Sequence, residues 1–349
     1  MSDQRAPRIL ISRLSAIGDC VLTTPMLCSI RAQFPESYIG WVTERGPAKL
    51  LEGHAALDEL IVVSKGWLKS LAEIRRLRSK LRSNKFDIAI DPQGLTKSAI
   101  VSWLSGAERR IGFARPRGRE LSRWFNGELV TPTTTHLVDA QLELLRPLGI
   151  EESVVRFDLP VMSAVESKVD TMINSAHLGC DFIAINPGAG WDSRLWSTYR
   201  YGRVARCLGE RYQLPSFVLW SGARERDWAE EIVACSGGRA VLAPPTTLPE
   251  LASVLRRARM FVGSDTGPLH IASAGGTPCV GLHGTTRSEA SGAYGPQHIH
   301  IQIRYHDGTS RERRRASNDA MLEIDVDSVV AGCEELLQRE RTEQRRSAA

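Results

Sequence analysis

Val262-Gly263-Ser264-Asp265-Thr266-Gly267-Pro268-Leu269-His270-Ile271-Ala272-Ser273-Ala274-Gly275-Gly276-Thr277-Pro278 is the stretch on which the reading of this chain turns. The apolar run Met260-Phe261-Val262-Gly263 reads as a strand and the next residues as a tight polar turn. A helix begins near Pro268, because proline suits the first turn of a helix. Backbone N–H groups at that start, with Gly267 allowing close approach, suit an anion such as a pyrophosphate. Asp265 is a candidate acceptor for sugar hydroxyls, and Thr266 and His270 are candidate donors to a phosphate. Read alone, Asp265 or Thr266 serves equally well as a helix cap.

The same strand, turn and helix recur on both sides. Asp181 to Asn186 reads as a strand stopped by Pro187-Gly188-Ala189-Gly190, and Ser216 to Trp220 as another, with a helix from about Arg226. Pro278 to Leu282 is a further strand. In the first half, Arg8 to Leu14 leads through Ser15-Ala16-Ile17-Gly18-Asp19 into a helix over Cys20 to Gln33. Tyr38–Val42, Glu59–Val63 and Asp87–Asp91 are further strands, and Trp67, Leu68, Leu71, Ile74, Leu77 and Leu81 recur at helical spacing. Short strands alternating with helices predict βαβ units and mainly parallel sheets. At 349 residues the chain suits two such domains. We place them at 1–165 and 175–330, with a helix and polar tail over 331–349, frayed after Arg339; the link lies near Ile150 to Ser175.

Composition narrows the function. No apolar run approaches the roughly 18 residues of a spanning helix, and Met1 to Arg5 is no signal peptide, which predicts a cytoplasmic protein. Seven cysteines without a C-x-x-C pair predict neither a disulfide framework nor a zinc site, and no histidine cluster suggests a metal. His298 and His300 would share one exposed face of a strand. The net charge of +5 is modest and rests mainly on arginine, which favours an anionic small partner over nucleic acid.

Several motifs fail on inspection. Gly188-Ala189-Gly190 has Ser193 where a dinucleotide fingerprint needs glycine, and Gly94-Leu95-Thr96-Lys97-Ser98 lacks the glycine before lysine of a P-loop. Gly263-Ser264-Asp265-Thr266-Gly267 carries Asp265 where a nucleophile elbow needs serine. Asp325-Val326-Asp327 sits too late to hold a metal at a strand end.

The opening stretch resembles the D-T-G-P-x-H-x-A signature of the lipopolysaccharide heptosyltransferases, glycosyltransferase family 9. The similarity extends to Ile9 through Gly18-Asp19 and Pro25, to His136 through Ile150, to Asn186-Pro187-Gly188-Ala189 with Trp196, and to Thr247-Leu248-Pro249-Glu250-Leu251. It covers roughly residues 8–330. The resemblance implies a GT-B fold, two Rossmann-like domains with mainly parallel sheets facing across a cleft. It also implies inverting, metal-independent transfer of a heptose or related sugar from an ADP-sugar, probably ADP-heptose, with no further cofactor.

Carried over residue by residue, the resemblance makes Asp19 the general base. Arg194, Glu225, Thr246, Asp265, Thr266, Gly267 and His270 fall on the donor site, with Glu225 on the ribose and the main chain at Thr246 on the adenine. Chemistry agrees, since transfer needs one base and a group to steady the leaving diphosphate, a task for helix N-termini and an arginine fork. For Asp19 the plain alternative is a helix N-cap. The family usually has lysine at Arg194, and commonly reads F-G-P-T where this chain has His283-Gly284-Thr285-Thr286. The implied acceptor is an anionic, lipid-linked core oligosaccharide. We assign it to Lys97, Arg115, Arg117 and Arg119, in a cluster that also holds Arg109, Arg110 and Arg123. Peripheral contact with the cytoplasmic face of the inner membrane would follow, and the basic, amphipathic Trp67–Arg82 stretch is a candidate surface. Alternatives are a sugar-nucleotide 2-epimerase on the same fold and a non-catalytic sugar or nucleotide binder.

Overall fold

Near-continuous apolar runs such as Ile9-Leu10-Ile11 and Phe261-Val262 are wholly buried, as strands covered by helices on both faces must be. The computed structural model describes residues 5–179 and 181–347, without the side chains of 343–347. The chain divides after Pro160 into two compact units. The first contains β1 (Arg8–Ser12), β2 (Tyr38–Glu44), β3 (Glu59–Val63), β4 (Ile88–Asp91), β5 (Arg109–Phe113) and β6 (Glu128–Val130). The second contains β7 (Ile183–Asn186), β8 (Ser216–Val218), β9 (Ala240–Leu242), β10 (Met260–Ser264), β11 (Cys279–Leu282) and β12 (Ile299–Ile301).

Each unit forms one parallel sheet, in the orders β3-β2-β1-β4-β5-β6 and β12-β11-β10-β7-β8-β9. Counted from each unit's own first strand, the order is the same and is that of a doubly wound, Rossmann-like sheet. The direction of winding reverses between β1 and β4 and again between β7 and β10. Loops leaving the carboxyl ends there diverge and open a crevice, the usual ligand position in such sheets. This α/β architecture matches the expected fold class.

Local boundaries differ from the expected ones for physical reasons. The presumed link contains the helix Ser163–Ser175, whose Val169 and Ile173 are buried. It is pinned to the second unit by ion pairs from Glu166 to Arg256 and Arg257 and from Lys168 to Glu250. The last helix runs from Val326 to Ser347, with no break at Arg339, and buries Val330, Cys333, Leu336 and Leu337 in the second core. The expected helix at Trp67 becomes a single 3-10 turn followed by Leu71–Ser83, capped by Ser70. Its Leu77 and Leu81, with Ile74, pack into the first core against Val42, Ile61 and Phe86, so that part of the stripe covers the sheet, while Leu71 stays exposed.

His298 is buried and His300 largely so, against the expected exposed face. Six cysteines are unpaired, and Cys180, Met1–Gln4 and the last two residues lie outside the described residues. Among the described residues no helix is long and apolar enough to cross a membrane.

Candidate active site

In the first unit, the turn after β1 and the loop after β4 are tied together at the reversal point. Arg13 is 4% exposed, and its Nη1 donates to the Pro92 carbonyl at 2.8 Å. The Gln93 Oε1 accepts the Leu14 N–H at 2.9 Å. From that anchored position Arg13 Nη2 meets Asp19 Oδ2 at 2.8 Å. The same Oδ2 accepts the Ala16 N–H at 3.3 Å. Asp19 is therefore not the N-cap of its helix, Ile17–Val21, but the third residue in it, reaching back to the Ala16 cap. Both contacts fall on Oδ2 and the side chain is 41% exposed, which leaves Oδ1 for chemistry.

Lys97 stands in the first turn of Thr96–Ser105 and donates to Ser15 Oγ at 2.7 Å and Glu44 Oε1 at 3.0 Å, beside the Asp19 turn. The loop Ala114–Arg119 leaves β5 at the same edge and lies over Gly94, whose carbonyl accepts the Arg119 N–H at 2.9 Å. Gly94 has φ +64°, and a Cβ there would stand 2.5 Å from the Arg117 carbonyl oxygen, so only glycine allows this approach. Arg115 and Arg119 are exposed, whereas Arg117 is partly buried and donates to the Thr135 carbonyl at 2.5 Å. Arg109 and Arg110 leave the cluster. They begin β5, at the opposite edge, where Arg109 pairs with Glu128 at 2.8 Å and Arg110 donates to the Phe125 and Ala107 carbonyls.

In the second unit, Asp265 follows β10 and is 3% exposed. His270 Nε2 lies 3.2 Å from its Oδ1, Arg194 Nη1 lies 3.5 Å from its Oδ2, and Ser291 donates to Oδ2 at 3.4 Å. Arg194 also donates to the Asp265 carbonyl at 2.7 Å, and its guanidinium stacks 3.9 Å from the Trp191 ring centre. Burial opposes ionisation of Asp265, but the His270 hydrogen bond and the Arg194 charge outweigh it and hold the carboxyl well below the usual range. Thr266 is the N-cap residue of the helix Gly267–Ala274, yet no side chain caps that end; its hydroxyl donates to the Ser264 carbonyl at 3.3 Å. The capping alternative therefore fails for both residues: Asp265 turns to Arg194 and His270, and the helix start keeps its N–H groups free of a side-chain cap, as an anion site needs.

Glu225 lies in the first turn of Gly222–Cys235, and its Oε2 accepts the Ser221 N–H at 2.8 Å. A Cβ on Gly188 would stand 2.4 Å from this carboxyl, so glycine lets the β7 loop meet Glu225. Burial pushes the Glu225 carboxyl up, partly offset by the Ser221 hydrogen bond. Thr246 is partly exposed in the turn after Pro244-Pro245, before the helix Leu248–Arg257. Among the described residues no group of three or more His, Cys, Asp or Glu side chains is arranged to hold a metal ion.

Sequence reading missed four participants: Arg13, hidden as a strand end; Trp191; Ser291; and Arg313, which donates to the Thr285 carbonyl at 2.8 Å. The arginine-rich run around Arg313 was the available signal. His283, beside Asp265 at the end of the adjacent strand, is 1% exposed, and neither ring nitrogen meets a hydrogen-bonding partner in the protein. Burial pushes it down to about 4, so it is neutral at physiological pH.

Two outcomes are expected. The Asp265 pKa is lower folded than unfolded, so its contribution is full above about pH 4 and drains as pH falls towards the folded value. Asp265→Asn should lose about 3–5 kcal/mol at pH 7, since it leaves Arg194 facing a buried amide, and the difference from wild type should shrink below about pH 4. Urea unfolding as a function of pH reads both. His283→Phe, which keeps a planar ring at this buried position, should raise stability by about 1–3 kcal/mol by removing two unpartnered buried nitrogens; the same unfolding curves measure it.

The model of glycosyltransferase family 9 (heptosyltransferase) matches residues 74–320, well over half of the chain. Lipopolysaccharide heptosyltransferase 1 of Pseudomonas aeruginosa is 29% identical over 306 residues, covering 84% of this chain and 83% of that one. A glycosyl transferase of family 9 from Veillonella parvula superposes with a TM-score of 0.82 at 23% identity, over 95% of this chain and 97% of that one. The E. coli heptosyltransferase WaaC, solved with ADP, gives 0.76 at 22% identity over 94% and 99%. The two Rossmann-like sheets are thus those of the GT-B heptosyltransferase structures, and the chain is a glycosyltransferase that belongs to family 9, the heptosyltransferases.

Proposed function

We propose that this glycosyltransferase moves a heptose, or a closely related sugar, from an ADP-sugar to a lipopolysaccharide-core-type acceptor, with inversion and without a metal ion. The observation that carries the reading is the Arg194–Asp265–His270 assembly beside an uncapped helix start. Similarity to lipopolysaccharide heptosyltransferases, and to WaaC solved with ADP, supports the donor and acceptor classes and favours transfer over epimerisation or simple binding.

In this reading Asp19 Oδ1 takes the proton of the acceptor hydroxyl as its oxygen attacks the anomeric carbon. The bond from that carbon to the diphosphate breaks on the opposite face, which inverts the centre, and ADP leaves carrying the electron pair. Arg194 and the N–H groups at Gly267 and beyond stabilise the growing phosphate charge, the task a metal would otherwise perform. Thr266 and His270 flank the diphosphate, Asp265 faces the sugar, Glu225 holds the ribose and the Thr246 main chain meets the adenine. Lys97, Arg115 and Arg119 attract the acceptor's anionic groups; Arg117, bound to Thr135, chiefly shapes their loop. A lipid-linked acceptor places the enzyme in peripheral contact with the inner membrane.

The test is Asp19→Asn. Asparagine still accepts the Ala16 N–H but takes no proton, so turnover of ADP-heptose with a core acceptor should fall by about 10²–10⁴-fold. Donor affinity should hold, and leaving the buried Arg13 with an amide oxygen in place of a charge should cost about 1–3 kcal/mol of stability. A variant keeping more than about a tenth of wild-type turnover removes Asp19 as the base.

A further inference from the structure

The first unit carries an apolar surface that its own fold does not explain. Trp124 is 81% exposed, Leu121 54% and Trp103 50%, unusual for side chains whose burial would be worth so much. They belong together: Trp103, on the outer side of Thr96–Ser105, meets Phe125 edge-on with ring centres 6.1 Å apart, and Leu121 and Trp124 belong to the short Ser122–Phe125 turn and its cap. The Leu121 N–H donates to Thr96 Oγ1 at 3.2 Å, fixing that turn on the start of the same helix.

The rim of the patch is basic. Arg115 to Trp124 contains four arginines against one glutamate, and that Glu120 accepts the Thr96 N–H at 3.1 Å. Exposed tryptophan and leucine beside arginine forks fit a boundary that is apolar at depth and anionic at its surface. A protein partner would be met better by a patch with both signs of charge. The Leu121 end of the patch adjoins the loop over Gly94, next to the Asp19 turn, while its Trp103–Phe125 end lies towards the start of β5. A bilayer seated here would therefore reach the edge of the sheet that carries the base through the Leu121–Arg119 end of the patch.

We propose that Trp103, Leu121 and Trp124, with Arg119 and Arg123, form the surface by which this chain docks on an anionic lipid bilayer. The inference rests on the reading of the acceptor as lipid-linked, and it sets the contact on the Thr96–Ser105 helix and the Ser122–Phe125 turn, beside the Leu71–Ser83 helix packed against it.

The experiment compares full-length protein and Leu121→Ser/Trp124→Ser on phosphatidylcholine vesicles with and without phosphatidylglycerol, by co-sedimentation and tryptophan emission. Wild type should sediment with the anionic vesicles, shift its emission to the blue and release as salt rises past a Debye length of about 8 Å. The double variant should partition at least about tenfold less, while its melting temperature and its turnover of a water-soluble acceptor stay unchanged. Equal partition of wild type onto neutral and anionic vesicles, or undiminished binding by the folded variant, overturns the proposal. So does a wild-type dimer that the variant converts to monomer, since a second copy then covers the patch. Failure of turnover in wild type, with vesicle binding intact, would count against the proposed reaction and leave the docking surface standing.

Discussion

A carboxylate buried between an arginine and a histidine organises the second unit. Asp265 cannot ionise at 3% exposure without compensation, and the compensation comes from His270 on the helix that follows it and from Arg194 on the loop after β7. One side chain thus ties the two loops that leave the sheet at its reversal point. Because Asp265 occupies these groups and caps nothing, the helix start beside it stays available for an anion. Arg194 is held by the Asp265 carbonyl and the Trp191 face as well, so its guanidinium is oriented by the protein alone. A planar, permanently charged fork fixed in this way serves a diphosphate better than a mobile ammonium would.

The first unit repeats the device with the signs exchanged. There the buried group is the arginine: Arg13 is anchored on Pro92 and presents a partly exposed carboxylate, Asp19, at the edge of the sheet. Both units therefore put one ion pair at the point where strand order reverses, and in each the outer partner is the more exposed one. The Arg13–Asp19 and Arg194–Asp265 pairs sit on separate units.

The sequence disclosed the architecture because parallel strands are written as short apolar runs closed by Pro and Gly, as at Asn186-Pro187-Gly188 and Asp91-Pro92-Gln93-Gly94. It disclosed less where strands lie at sheet edges. β6 and β9 are three residues long, and β5 begins with Arg109-Arg110, whose charges suggested an acceptor patch until their pairing with Glu128 and with carbonyls was seen. Asp19 and Asp265 were legible as residues but not in their places in the helices, since spacing alone cannot separate a cap from the third residue of a helix or an ion pair. The partners that decide this, Arg13 and Arg194, are 6 and 71 residues away along the chain. Exposure was wholly hidden: nothing in the order of residues says that Trp124 faces outward while Trp196 is buried with its Nε1 on the Ile324 carbonyl.

The most direct test of the account is calorimetric titration of ADP into wild type and Arg194→Ala, each in excess chelator. The fixed guanidinium and the open helix start should bind the diphosphate undiminished by chelation, and removing the guanidinium should weaken binding by about 10- to 100-fold. Binding that disappears in chelator and returns with Mg²⁺, or an Arg194→Ala protein that titrates like wild type, would contradict the account.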